Sequence, residues 1–316
     1  MSTWKLSIKT GNHRSDEAFD LCKEKSIVAI GWSDYYRERR YENIDKLFAE
    51  LRLRGDNIPP AVNCLAKRVR KDDFIWIHQR GEYHLCKVRD EQVLLGSEIT
   101  PDFLHMDVGH ARNVEWVTVP VFLVPGKVLR GTISPRTIQQ IGSEPDVRLE
   151  KYFGVIHGKL LKNKDWKPDL DDSHVTAEIR SPSQEELLSM MSPQDLEDIV
   201  AAYLQREQGW TLLHSTWFKS RPEFEFTMVK PGPKYGFVQI KSGDISLSPE
   251  EYSVYLDGKD QVILFSTSRE CPYPGVPVSG VTTLDAVEVI DWIGQNTWVL
   301  SPWIKAQLLV RSGKDL

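Results

Sequence analysis

Tyr235-Gly236-Phe237-Val238-Gln239-Ile240-Lys241-Ser242-Gly243 reads as a short buried strand that carries two polar residues, Gln239 and Lys241. Side chains alternate faces along a strand, so residues 239 and 241 project to one side and Val238 and Ile240 to the other. A second strand-like run, Phe224-Glu225-Phe226-Thr227-Met228-Val229, precedes it. Between them, Lys230-Pro231-Gly232-Pro233-Lys234 is a turn by composition. Two strands joined this way bring Glu225, or Glu223 two residues earlier, beside Gln239 and Lys241. A carboxylate, an amide oxygen and an ammonium at one strand edge suit a Mg2+ ion facing a phosphate, because hard cations prefer oxygen ligands. The same residues also suit a plain structural ion pair between lysine and carboxylate.

Pro222-Glu223-Phe224-Glu225-Phe226, followed by Val238-Gln239-Ile240-Lys241-Ser242-Gly243, resembles the PD-(D/E)xK nuclease core in the Gln-x-Lys variant of Mrr-type restriction endonucleases. Met191 to Leu204 resembles the helix that opens this core, and Glu197 stands where the family often places a further acid. The likeness spans about residues 190 to 300, with helix, strand, turn and strand in the family order. Glu225 replaces the Asp of the commoner pattern, and Gln239 replaces its second acid. The resemblance implies that Glu225, Gln239, the Ile240 carbonyl and Glu197 hold one or two Mg2+ (or Mn2+) ions, with Glu223 the rival to Glu225. It also implies that Lys241 lies against the scissile phosphate and favours the attacking hydroxide. Cutting both strands of a duplex with one site per chain implies a homodimer.

A chain of 316 residues is long for one core and suggests two domains. Its apolar content of 41% and charged content of 27% are ordinary for a globular protein. Neither a membrane-length apolar run nor a signal-peptide stretch is expected. Cys22, Cys64, Cys86 and Cys271 are scattered without a paired spacing, which indicates neither a zinc site nor a disulfide framework and fits a bacterial or archaeal cytoplasm. No P-loop, Gly-x-Ser-x-Gly or His-Glu-x-x-His is present, so no nucleotide cofactor is expected.

Net charge divides unevenly. Residues 1–165 carry 27 Lys and Arg against 23 Asp and Glu, or +4, while residues 166–316 carry 13 against 22, or −9. Phosphate neutralisation supplies most non-specific affinity for nucleic acid. The first half is therefore expected to capture the substrate and the second to cut it. Pro, Asp and Ser crowd the stretch 163–183, which reads as a linker, and the expected domains are 1–165 and 190–316 around a linker at 166–189. Gln184 to Leu188 suggests a short helix before the second domain.

In the first half, strands are expected at Trp4–Lys9, Ser26–Trp32 and Arg112–Val119, with helices at Asp16–Lys25 and Ile44–Arg54. Asp73–His78 and Tyr83–Val88 form a hairpin pattern, and Ser134–Ile141 reads as a late helix. Trp4, Ile27 to Trp32, Lys71 to Trp76 and Arg112 to Trp116 together resemble the EVE domain of the PUA-like superfamily over about residues 1–160. That resemblance implies a β-barrel with helices that reads a modified base, such as a modified cytosine, in double-stranded DNA. A flipped base needs aromatic faces and hydrogen bonds to its polar edge. Trp32, Tyr35, Tyr36, Trp76 and His78 are the candidate pocket walls, with Trp4, Trp76 and Trp116 alternatively core residues. Arg37, Arg39 and Arg40, with Lys67, Arg68 and Arg70, are candidate phosphate contacts, or simply a solvated face.

The expectation is therefore an α/β and α+β chain of two domains. A PUA/EVE-like barrel precedes a restriction-endonuclease-like αβα core, giving a type IV-like, modification-dependent endonuclease. The alternatives are a nuclease acting on RNA or unmodified DNA, and an inactive nucleic-acid-binding protein.

Overall fold

The computed structural model describes all residues except 1, 12–13, 38, 134–135, 142–146, 171–186, 189, 215–222, 233, 257, 259 and 312–316. The chain divides into two compact units, Met1–Pro168 and 169–315. The helix expected from Gln184 falls mostly outside the described residues.

The first unit contains β1 (Thr3–Leu6), α1 (Ser15–Glu24), β2 (Ile27–Ile30), α2 (Ile44–Leu53), α3 (Pro60–Lys67), β3 (Phe74–Gln79) and β4 (Glu82–Leu95). After these come α4 (Gly96–Ile99), α5 (Phe103–Met106), β5 (His110–Val119), α6 (Gly126–Ile133), β6 (Ile138–Gln140) and α7 (Val147–Lys162). One sheet runs in the order β2-β5-β4-β3-β1-β6, with only β1 and β3 parallel. The β3–β4 hairpin turns through Arg80 and Gly81 at φ 52° and 77°. Positive φ at both residues is the turn geometry that follows strand twist, and glycine adopts it without cost.

The two faces of this sheet carry different layers. Ile75 and Ile77 join Phe19, Leu47, Phe48 and Leu65 in the core on one face. Phe74 and Trp76 point the other way and meet Phe153 of α7 at ring distances of 5.9 and 5.4 Å. Asn43 caps α2 by accepting from the backbone of Asp45 and Lys46 at 3.1 and 3.0 Å. Leu47 and Leu51, one helical turn apart, then face the core.

Two expectations change here. The described strands leave β2 and β6 as edges, so the sheet is open and no barrel closes among the described residues. The expected late helix is strand β6 at Ile138–Gln140, with 134–135 outside the described residues. Its backbone pairs with β1 from Trp4↔Gln140 to Leu6↔Ile138, and this ladder overrides the local helical spacing.

The second unit contains α8 (Pro193–Gln208), β7 (Thr211–Leu212), β8 (Phe226–Lys230), β9 (Lys234–Lys241), α9 (Pro249–Tyr252), β10 (Gln261–Ser266), β11 (Val281–Thr283), α10 (Ala286–Gln295) and α11 (Pro302–Arg311). Its sheet runs β11-β10-β9-β8-β7, with β9, β10 and β11 parallel and β7 and β8 antiparallel. Ser192 caps α8 in a reciprocal box with Asp195, as Ser-x-x-Asp before an apolar run predicts. Tyr203 of α8 packs on Trp292 of α10 and donates to Glu288. Trp303 and Leu308 are core residues, whereas Trp298 stays 52% exposed. No helix among the described residues is long and apolar enough to cross a membrane.

Candidate functional site

Register decides which side chains meet in the second unit. Phe226 pairs with Val238, and the Glu225 N–H donates to the Val238 carbonyl at 2.9 Å. Glu225 lies just beyond the last ladder pair, and Val238 faces both Phe226 and Glu225, the mark of a bulge. Phe224 breaks the strict alternation. Its ring lies 5.3 Å from Phe237, on the same side as Gln239 and Lys241, so Phe224 and Glu225 share one face. A local irregularity of this kind re-aims side chains at a sheet edge.

The result is a polar cluster on an apolar shelf. Lys241 Nζ donates to Glu225 Oε1 at 3.4 Å. With the Gln239 amide oriented to satisfy both its ends, its nitrogen donates to the Glu223 carbonyl at 2.9 Å and its oxygen accepts from Lys241 Nζ at 2.8 Å. Gln239 is buried, while Lys241 and Glu225 are half-buried. Phe224, Phe237 and Tyr252 lie beneath the cluster. The Tyr252 phenol is held above its ordinary value by burial and then by the nearby Glu251, Tyr255 and Glu225.

The two glutamates enter the cluster differently. Glu225 places its carboxylate on Lys241, and Glu223 contributes a backbone oxygen to Gln239. The Val238 carbonyl faces β8, and the Lys241 carbonyl accepts from Thr267 N at 3.1 Å on the β10 side. Strand alternation therefore turns the Ile240 carbonyl toward the 223–225 segment. Glu197 is buried on α8, which packs against β7, β9 and α10.

Fit to a divalent metal can be judged from these oxygens. No group of three or more His, Cys, Asp or Glu among the described residues is placed to hold an ion. The available donors are one carboxylate, one amide oxygen and one backbone carbonyl, all hard oxygens suited to Mg2+. Glu225 and Gln239 already direct their oxygens at a single cation, the Lys241 ammonium. The set fits an ion held by few protein ligands and completed by water.

In the first unit, the candidate pocket walls separate. Trp32, Tyr35 and Tyr41 pack against the core that includes Ile75 and Ile77. Trp76 is fully buried on the opposite face, so it is no wall of a pocket near Tyr35; strand alternation is the reason. His78 is exposed on that opposite face and stacks on Tyr83 at 4.4 Å. Tyr36 is buried, and its hydroxyl meets His110 Nε2 at 2.8 Å. A cavity of about 250 Å3 opens beside Tyr35, lined among others by Arg37, Arg39, Tyr41, Arg54 and Asp56. Tyr41 and Arg54 went unread in the sequence because only the fold brings them to Tyr35.

Trp32 holds a left-handed backbone at φ 64°, which is uncommon for a large side chain. Asp107 fixes it from across the fold. Its Oδ1 accepts from Ser33 N at 3.1 Å and from the Ser33 hydroxyl at 3.0 Å, and its Oδ2 from Gly11 N at 2.9 Å. A Cβ on Gly31 would stand 2.7 Å from that carboxylate and push the Asp107 side chain from its place.

The basic candidates are mostly engaged. Arg37 pairs with Asp34 at 2.7 Å, Arg39 with Glu50 at 2.6 Å, and Lys67 with Asp45. Arg68 donates to Gln140 and lies over the Trp4 ring, while Arg70 stands 3.9 Å from Glu91. Arg40 is exposed. All of these side chains except that of the half-buried Lys67 remain largely at the surface, so the pairs are weak and open to exchange. No family model, no curated protein and no solved structure matches the chain.

Proposed function

We propose that the chain is a Mg2+-dependent endodeoxyribonuclease with an amino-terminal reader of modified bases, acting as a type IV-like restriction enzyme of the Mrr kind. The observation that carries this reading is the meeting of Glu225, Gln239 and Lys241 at one end of the sheet, on strands joined in the order helix, strand, turn, strand. The five-stranded mixed sheet with α8 against it supports a restriction-endonuclease-like core. The PUA/EVE-like reading of the first unit rests on the sequence resemblance and on the aromatic and basic cavity beside Tyr35.

Glu225, Gln239 and the Ile240 carbonyl would hold the ion. Bound there, Mg2+ supplies positive charge for the phosphoryl oxygens and acidifies a bound water. Lys241 then hydrogen-bonds the scissile phosphate and balances the charge that builds on it. Gln239 orients the attacking water through its amide. In the first unit, Tyr35, Tyr41 and Trp32 offer faces for an extruded base, and Arg37, Arg39 and Arg40 contact phosphate. The substrate on this reading is duplex DNA bearing a modified base such as a modified cytosine, and a homodimer cuts both strands.

The deciding experiment is Mg2+-dependent cleavage of duplexes that are plain, methylated, hydroxymethylated or glucosylated at cytosine, with Lys241→Ala as control. Cutting of a modified duplex alone, lost in the variant, is the expected result. Equal cutting of all duplexes removes the reader. A second reading, a nucleic-acid-binding protein without cleavage, draws on the direct Lys241–Glu225 pair and gains if no DNA or RNA is cut by folded protein.

A further inference from the structure

A cavity of about 770 Å3 opens at the carboxyl ends of β9, β10 and β11. It is lined by Gly243 after β9, by Thr267, Ser268 and Arg269 after β10, and by Asp285 at the start of α10. The position follows from topology, since parallel strands present their carboxyl ends, with helix starts and loops, to a common crevice. The volume lies within the roughly 300–1,000 Å3 typical of small-ligand sites.

This cavity adjoins the strand end that carries Lys241. Ser266, one of its lining residues, is the register partner of Lys241 on the neighbouring strand. Thr267 N donates to the Lys241 carbonyl at 3.1 Å, and Gly243 N donates to Thr267 Oγ1 at 2.8 Å. Adjacent strands are about 4.8 Å apart, so a ligand in the cavity lies within one nucleotide's reach of Lys241.

Its wall chemistry is mixed in a particular way. Tyr273 has its hydroxyl fixed by Ser266 N at 3.0 Å and by the Leu284 carbonyl at 2.6 Å, which makes its ring a rigid surface. Arg269 offers a planar guanidinium suited to a phosphate. Asp244 offers carboxylate acceptors for amino or hydroxyl donors, and Asp285 does so beyond the oxygen that caps Val287 N. An aromatic face, a guanidinium and carboxylate acceptors match the three parts of a nucleotide: base face, phosphate and polar edge.

We infer that this cavity binds a single unpaired nucleotide of the strand being cut, next to the scissile phosphate. The inference rests on the nuclease reading and deepens it. A paired base in a stacked duplex cannot enter such a recess, so the strand must be single or opened at the cut site.

The test is calorimetric titration of the full chain, without metal, with a deoxynucleoside monophosphate, a four-nucleotide single strand, a blunt duplex and inorganic phosphate. The monophosphate and the short strand are expected to bind at least tenfold more tightly than phosphate. Arg269→Ala should weaken both at least tenfold. Val287→Trp should do the same by filling the recess from a side chain that is 44% exposed. A free-nucleotide site would bind the monophosphate but not the strand, and that result overturns the inference. So does binding that is no tighter than phosphate, or that both cavity variants retain. If cavity-dependent binding stands while Mg2+ elicits no cleavage, the nuclease reading falls and the cavity site survives. Cleavage without nucleotide binding sinks the cavity site alone.

Discussion

The Lys241 ammonium stands 3.4 Å from Glu225 Oε1 and occupies the point at which the oxygens of Glu225 and Gln239 converge. A metal ion seeking those oxygens must displace it. Removing one unit of positive charge from this position favours another cation. Lys241→Met should therefore bind Mn2+ roughly tenfold more tightly, about 1.4 kcal/mol, while cleaving nothing. Glu225→Gln should lose Mn2+ affinity. Paramagnetic titration of both variants checks this, and an unchanged affinity in Lys241→Met would show that the ammonium does not share the metal's position.

Asp107 holds the Gly31-Trp32-Ser33 segment, and Trp32 carries the left-handed backbone. Left-handed backbone costs a residue with a Cβ roughly 1–2 kcal/mol, and glycine almost none. Trp32→Ala and Trp32→Gly lose the same ring, so their difference isolates the strain. Trp32→Gly should be more stable than Trp32→Ala by about 1 kcal/mol, read as denaturation midpoints. Both should lose preference for modified duplex, and retention of that preference would remove Trp32 from the reader.

How far the chain could be read beforehand is clearest at these two sites. Gln239 and Lys241 were legible because period-2 alternation needs only local sequence, and the Pro-Gly-Pro turn set the pairing. Trp76 stayed open between pocket wall and core, although it sits in a strand that the sequence located correctly. Which face of that strand meets α7 depends on a helix some 75 residues away, and no local pattern carries that information. β6 failed for the same reason, because three residues become a strand only when β1 is there to pair with. The Asp107 clamp on Trp32 spans the fold and leaves no trace in spacing.

Acid should destabilise the first unit through its buried histidines. Burial pushes His110 down to about 4, against the opposing pull of the Gly31 carbonyl and Asp107, and pushes His84 down to about 4 with Lys23 helping. Both side chains are buried and neutral in the fold. The unfolded chain binds these protons near pH 6.5, so it holds more protons than the folded chain between about 6.5 and 4. The stabilisation is complete above pH 6.5 and is lost as pH falls toward 4, on the order of 3 kcal/mol per histidine. Thermal midpoints across that range should fall accordingly. His110→Asn should flatten part of the slope, and an unaltered slope would reassign it to other groups.

Trp76 and Tyr35 separate stability from recognition. Trp76 packs on Phe153, and its indole N–H finds no hydrogen-bond partner among the described residues. Trp76→Ala should cost about 3–5 kcal/mol of stability. Trp76→Phe should cost far less, because it removes that unpaired donor along with part of the ring. Neither should alter the ratio of binding to modified and plain duplex once the protein is folded. Tyr35, half-buried beside the 250 Å3 cavity, should behave in the opposite way. Tyr35→Ala should change stability little and remove about 1–3 kcal/mol of binding to the modified duplex, the contribution of one base–aromatic stack. Competition binding at fixed salt reads the ratio directly. A ratio that falls with Trp76→Phe and stays with Tyr35→Ala would place the reading face on the α7 side of the sheet.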